Sequence, residues 1–231
     1  YGISLRPLVL FAEKMYDEED PNKAAKKAIS IILFKLEGQI IRRNPEYQME
    51  DRLLLDKVDY ENACIELDDK SYPLKEKRFP TVDRDDPYKL SQAEREIMDE
   101  LEKLFLESEQ LQRHVEFLYS RGSMYQVFNG NLLFHGCVPL DEDGALKAIH
   151  LEGRIYQGRS YMDYADMAAR RAFFSEDPPQ RYLDFMWYLW CGAKSPVFGK
   201  DKMTTFEHYF VADKTTHRER LNPYYKLSQQ E

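Results

Sequence analysis

The feature that most constrains the fold lies between Asp20-Pro21 and Pro45. An aspartate followed by proline opens a helix well. The carboxylate caps free amides, and the fixed φ of proline suits the first helical position. The residue before a proline is steered away from helical geometry, so Pro45 should stop the helix near Arg43. The spacing therefore predicts one helix over residues 21–43. Ala25, Ala28, Ile29, Ile32, Leu36 and Ile40 form one stripe, and Ile31, Phe34 and Ile41 widen it. A helix apolar over so much of its circumference is buried on more than one side. The rest of the fold has to pack around it.

Shorter signals fill in the remainder. Residues 5–16 read as a short helix. Alternation over Ala63-Cys64-Ile65-Glu66-Leu67 and a polar turn at Asp68-Asp69 predict a small β-hairpin, and charged residues 75–92 with Pro80 and Pro87 read as an ordered surface linker. Ser91 and Glu94 have capping-box spacing. The apolar positions after them, from Ile97 to Leu118, keep helical period for over twenty residues, with Gly122 as a stop. His114 lies at the edge of that stripe and reads as structural. Residues 159–174 and 179–190 read as two further helices, the second an aromatic core helix. Leu140-Asp141-Glu142-Asp143-Gly144 clusters carboxylates without EF-hand spacing and is read as a plain turn. Glu152-Gly153 is a hairpin signal.

Asn129-Gly130 is the strongest turn signal, because a type I′ turn needs φ > 0 at both central residues. It joins Met124-Tyr125-Gln126-Val127-Phe128 to Asn131-Leu132-Leu133-Phe134-His135. With a two-residue loop, Phe128 pairs with Asn131 and Met124 with His135, in a half-buried hairpin. His135 then closes an apolar strand, shares a sheet face with Leu133, and has open space beside it at Gly136. Taken from spacing alone, a histidine in a half-buried strand is more often a packing residue than a metal ligand. Cys137 is the one nearby soft donor, and hard divalent metals prefer oxygen and imidazole.

Composition excludes several classes. A net charge of −8 argues against nonspecific nucleic-acid binding, which needs a basic face. Cys64, Cys137 and Cys191 leave one cysteine odd and fit a reducing cytoplasm better than a disulfide framework. The apolar run 28–36 is too short for a membrane span and contains Lys35. With 43% hydrophobic residues, the chain can bury a sizeable core.

Several unusual strings together resemble class III, firmicute-type fructose-1,6-bisphosphatase, within the metallophosphoesterase superfamily. They are Arg42 to Tyr47, Met49 to Val58, the hairpin through His135-Gly136-Cys137, Phe198 to Glu207, and Asn222 to Leu227. The resemblance runs over nearly the whole chain and in order. It implies that His135 binds one metal of a two-metal site holding manganese. It also implies that Trp190-Cys191-Gly192-Ala193-Lys194-Ser195-Pro196 matches the tryptophan-containing loop of the superfamily. Lys200 and Lys202, in a glycine-led turn, become candidate substrate-binding cations for fructose 1,6-bisphosphate. His208 and His217 stay unassigned, and no residue is given a catalytic role.

The same resemblance implies Gly-Asp and Gly-Asn-His ligand motifs ahead of Tyr1 and a Gly-His motif after Glu231. The sequence holds no Gly-Asp and no Asn-His pair. It reads as an internal piece of a cytoplasmic, gluconeogenic hydrolase, carrying part of the active site and feebly active alone. The expected fold is α+β. Residues 1–20 would be a connecting helix from the catalytic domain. Residues 21–122 would form a helical insertion or cap with a small hairpin, and 123–231 part of a metallophosphatase α/β catalytic layer. No membrane or nucleic-acid partner is expected, and self-association is left open. The rival reading is a non-catalytic helical interaction or regulatory module.

Overall fold

The computed structural model describes residues 1–229. In chain order its elements are α1 (Arg6–Met15), α2 (Pro21–Arg43), β1 (Val58–Asp59), β2 (Cys64–Leu67), β3 (Lys70–Pro73), α3 (Gln92–Leu106), α4 (Glu109–Arg121), β4 (Tyr125–Phe128), β5 (Asn131–Phe134), β6 (Ile149–Leu151), β7 (Arg154–Tyr156), α5 (Gly158–Phe174), α6 (Gln180–Cys191), α7 (Thr205–Phe210) and α8 (Tyr224–Leu227). The fold is α+β. Strand pairs are antiparallel, in one three-stranded sheet (β1-β2-β3) and two separate hairpins (β4-β5, β6-β7). Among the described residues no helix is long and apolar enough to cross a membrane.

The chain forms two compact units, neither a single stretch of sequence. One comprises Tyr1–Arg43, Glu50–Glu116 and Thr205–His217, and the other comprises Asn44–Met49, Phe117–Thr204 and the described residues from Arg218 onward.

In the first unit α2 behaves as its sequence demands. One face joins Ala24, Ala25, Ala28 and Ile32 to Leu8 and Ala12 of α1 and to Ile97 and Leu101 of α3. The other presents Ile31 and Phe34 to a second cluster with Ile65, Leu74, Phe206 and Phe210. The helix starts as its cap predicts, with the Asn22 amide donating to Asp20 Oδ1 at 2.9 Å. Gly38 has no room for a β-carbon, because the Tyr88 ring occupies that point beside the helix. The surface linker thus does more than connect, since Phe79 and Tyr88 from within it belong to the core.

Lys35 is completely buried in the middle of α2. Its ammonium donates to Glu94 Oε2 at 2.7 Å and to the Thr81 carbonyl at 2.5 Å. Thr81 Oγ1 also pairs with the Tyr16 hydroxyl at 3.2 Å, and burial pushes that hydroxyl up to about 12. Glu94 has a second role. Its carboxylate accepts from the Ser91 amide while Ser91 Oγ accepts from the Glu94 amide, which completes the capping box. A residue chosen for a local cap therefore also neutralises a buried cation. Elsewhere in this unit, Arg52 grips Glu207 through two hydrogen bonds of 2.6 and 2.9 Å and ties α7 down.

The long helix expected from Ser91 to Gly122 is two helices. α3 ends at Leu106 with Glu107 as its cap, and α4 restarts at Glu109. The Ser108 carbonyl accepts from Gln112, and its hydroxyl donates to the Tyr1 carbonyl. The apolar spacing in the sequence runs on through this two-residue interruption, so periodicity alone does not reveal it. His114 meets the Tyr1 hydroxyl at 3.1 Å on this exposed helix.

In the second unit α5 and α6 pack through aromatic rings. Phe185 meets Tyr164 edge-on at 5.1 Å and stacks with Tyr188 at 5.9 Å. Tyr47 also packs against Tyr188, with ring centroids 4.4 Å apart. Tyr182, Phe185 and Tyr188 of α6 are core, Trp187 is half-buried, and Trp190 is 49% exposed. Asn44 donates to the buried Asp184 carboxylate at 2.8 Å.

Candidate functional site

The hairpin that carries His135 forms as its turn dictates. Asn129 and Gly130 have φ of 49° and 76°, and Phe128 pairs with Asn131. The ladder stops one pair earlier than expected, at Tyr125–Phe134. His135 therefore lies just beyond β5, and strand alternation no longer dictates which way its imidazole faces. The hairpin is also not half-buried. Val127, Phe128, Leu132 and Leu133 are 64, 60, 51 and 52% exposed, because β4 and β5 form a sheet of their own. His135 is exposed, and among the described residues its ring meets no hydrogen-bond partner.

Instead of open space, Gly136 meets the chain. Its φ is 88°, and a β-carbon would collide with the carbonyl oxygens of Pro196 and Val197. Cys137, fully buried, donates its amide to the Pro196 carbonyl at 2.8 Å. Burial pushes its thiol up to about 11. The turn after His135 is thus seated on the loop that follows α6. That loop is rigid by construction: Ser195 Oγ donates to the Leu189 carbonyl and accepts from the amides of Val197 and Phe198.

The loop leads into the glycine-led turn with Lys200 and Lys202. Gly199, at φ 65°, abuts the Tyr225 hydroxyl, and its carbonyl accepts from the Asn222 amide at 2.9 Å. Asn222 Oδ1 accepts from Leu140 and Tyr224, while Phe134 meets the Tyr224 ring at 5.8 Å. Three stretches far apart in sequence are thereby gathered in one unit: 129–137, 190–204 and 222–227. His135 and the two lysines share that unit without touching one another.

The two lysines differ. Lys200 donates to Glu219 Oε2 at 2.6 Å, and Glu219 Oε1 accepts from the Thr204 amide and hydroxyl. Burial pushes the Glu219 carboxyl up, but the Lys200 ammonium and the Thr204 donors outweigh it and hold the pKa below the usual range. A lysine so neutralised braces the turn before it can attract an anion. Half-buried Lys202 has no carboxylate partner among the described residues and keeps its charge available. Lys194, within the loop, was not singled out from sequence. Burial and the neighbouring Lys147 push its pKa down, while its ammonium donates to Gln48 Oε1 at 2.9 Å. It lies within the tryptophan-containing string, but its environment is built from distant residues that the string does not show.

A cavity of about 410 Å³ lies beside the hairpin, lined by Leu118, Met124, Met186, Leu189, Trp190 and Val197. It is apolar, and the guanidinium at its edge, Arg170, is already committed to Asp166 and to the carbonyls of Tyr119 and Gly122. It is not built to receive a sugar phosphate.

A model of the firmicute fructose-1,6-bisphosphatase family matches residues 1–231. The chain belongs to that family. It is similar to the class 3 fructose-1,6-bisphosphatase of Clostridium botulinum strain Langeland, at 48% identity over 253 residues. It is likewise similar to that of Clostridium novyi strain NT, at 50% identity over 254 residues. In both cases all of this chain is covered and 38% of the relative, so the chain spans well under half the length of those relatives. No solved structure matches the chain.

Family membership sets a question for the metal. Among the described residues no three His, Cys, Asp or Glu side chains come together as a metal-binding group. His135 fits a metal as a single ligand, with its ring free and its turn fixed by Gly136. The described residues do not supply a complete ligand set.

Proposed function

We propose that this chain forms part of a phosphoric monoester hydrolase acting on fructose 1,6-bisphosphate, giving fructose 6-phosphate and phosphate. The observation that carries the reading is the seating of the His135-Gly136-Cys137 turn on the 192–197 loop. Two strings that resemble separate motifs of one superfamily site lie in direct contact here, within a chain that belongs to the family.

In this reading His135 provides one imidazole ligand to a divalent ion, manganese, whose other ligands come from residues beyond these 231. The ion supplies Lewis-acid stabilisation of charge on the phosphoryl oxygens when bound. The chain's own residues orient and attract. Gly136 and Pro196 fix the backbone of the turn that follows the imidazole. Lys202 offers an unpaired ammonium as a point charge for a phosphate, and Lys200, through Glu219, keeps the turn in place. Hydrolysis in the cytoplasm and a place in gluconeogenesis belong to the same reading.

The test is phosphate release from fructose 1,6-bisphosphate with manganese, measured on a protein that contains this sequence with its neighbouring segments, and on the 231 residues alone. Turnover by the longer protein and feeble turnover by the shorter one are expected. A longer protein inert toward phosphate monoesters would end the proposal, and robust turnover by the 231 residues would end the claim that ligands come from elsewhere.

A further inference from the structure

In a chain of net charge −8, one concavity of the first unit is positive. It has a volume of about 280 Å³ and lies where α2, the start of the segment after β3, and α7 meet. Its charged lining is Lys23, Lys26, Lys27 and Lys75 against Glu18 and Glu76. The two carboxylates are already spent. Lys23 lies 2.6 Å from Glu18, and Lys27 lies 2.5 Å from Glu76 and 3.5 Å from Glu18. Lys26 meets no carboxylate or hydrogen-bond acceptor among the described residues, and Lys75 donates to a main-chain carbonyl, that of His208, at 3.0 Å. Two exposed lysines thus line one cavity without a carboxylate partner among the described residues. Tyr209, 46% exposed, forms part of the wall.

Lysines on a convex surface are simply solvated. Two uncompensated ones lining a cavity raise the local potential, since low-dielectric walls focus the field. The volume is at the small end of ligand sites, which suits a compact ligand. A polynucleotide would meet an otherwise acidic protein and finds no basic track here.

We propose that this pocket binds a small phosphate-bearing anion between Lys26 and Lys75, with Tyr209 against whatever the phosphate carries. The site lies wholly in the first unit and stands whether or not the proposed hydrolase activity does.

The probe is inorganic phosphate added to the 231-residue chain, with ionic strength held constant by chloride, and the readout is hydrogen exchange of residues 23–30 and 75–76. Saturable protection of these amides is expected. Lys26→Gln should weaken it about tenfold, the equivalent of losing one charge-assisted hydrogen bond. That variant removes no side-chain hydrogen bond or ion pair among the described residues, so the fold survives it. Lys75→Gln should act alike, and Lys103→Gln on α3 should leave protection unchanged. Absence of saturable protection at residues 23–30, or equal weakening by Lys26→Gln and Lys103→Gln, overturns the proposal.

Discussion

Gly136 is held so close to the Pro196 carbonyl that no other residue fits at that position. The contact couples the turn after β5 to the loop after α6, and with it the placement of His135.

Gly136→Ala should therefore destabilise the protein by about 2 kcal/mol or more. A left-handed backbone costs a residue with a β-carbon roughly 1–2 kcal/mol, and the collision with Pro196 adds to it. Chemical denaturation should show a lower midpoint with an unchanged slope. A variant as stable as the parent would mean that the 136–196 contact is looser than described.

His135→Ala should behave in the opposite way. The imidazole is exposed and makes no hydrogen bond among the described residues, so the melting temperature should hold. In a protein with the complete site, bound manganese should fall and turnover should drop by at least ~2 orders of magnitude if the ion stabilises phosphoryl charge. Metal content, turnover and melting measured together decide the matter. Normal metal content with normal turnover would remove His135 from the site.

Lys35→Met leaves the Glu94 carboxylate buried without its cation. Breaking a buried pair by removing one partner costs about 3–5 kcal/mol. Adding Glu94→Gln should recover part of that loss, because it removes the unpaired charge while its amide oxygen can still accept from the Ser91 amide. Denaturation of both single variants and the double variant gives the coupling. A loss below about 1 kcal/mol for Lys35→Met would show that the pair contributes no more than an exposed one.

The Glu219 clamp should weaken in acid. Its folded pKa is lowered from the ordinary 4.5, so its contribution is fully present above that value and is lost as pH falls through the depressed one. The stability difference between the parent and Glu219→Gln should be constant near neutrality and vanish in strong acid. Lys200→Gln removes a lowering partner and should move that loss to higher pH. A difference independent of pH down to about 3 would exclude ionisation of Glu219 as its source.

Much of this fold was legible from residues a few places apart. Asp20-Pro21 started α2, Asn129-Gly130 turned β4 into β5, and Ser91 with Glu94 capped α3, because each relies on bonds within four residues. The two-sided burial of α2 followed from its apolar circumference alone. Family kinship was readable too, as it rests on strings and their order. The interruption at Glu107-Ser108 was not, because the apolar spacing in the sequence continues through it. Nor was the state of the charges. Lys35 and Glu94 are 59 positions apart, and Lys200 and Glu219 are 19 apart. Whether a lysine braces a core, holds a turn or faces a pocket unpaired depends on which distant carboxylate the folded chain brings to it. That choice is made by packing, which brings together residues separated by long loops that local sequence does not describe.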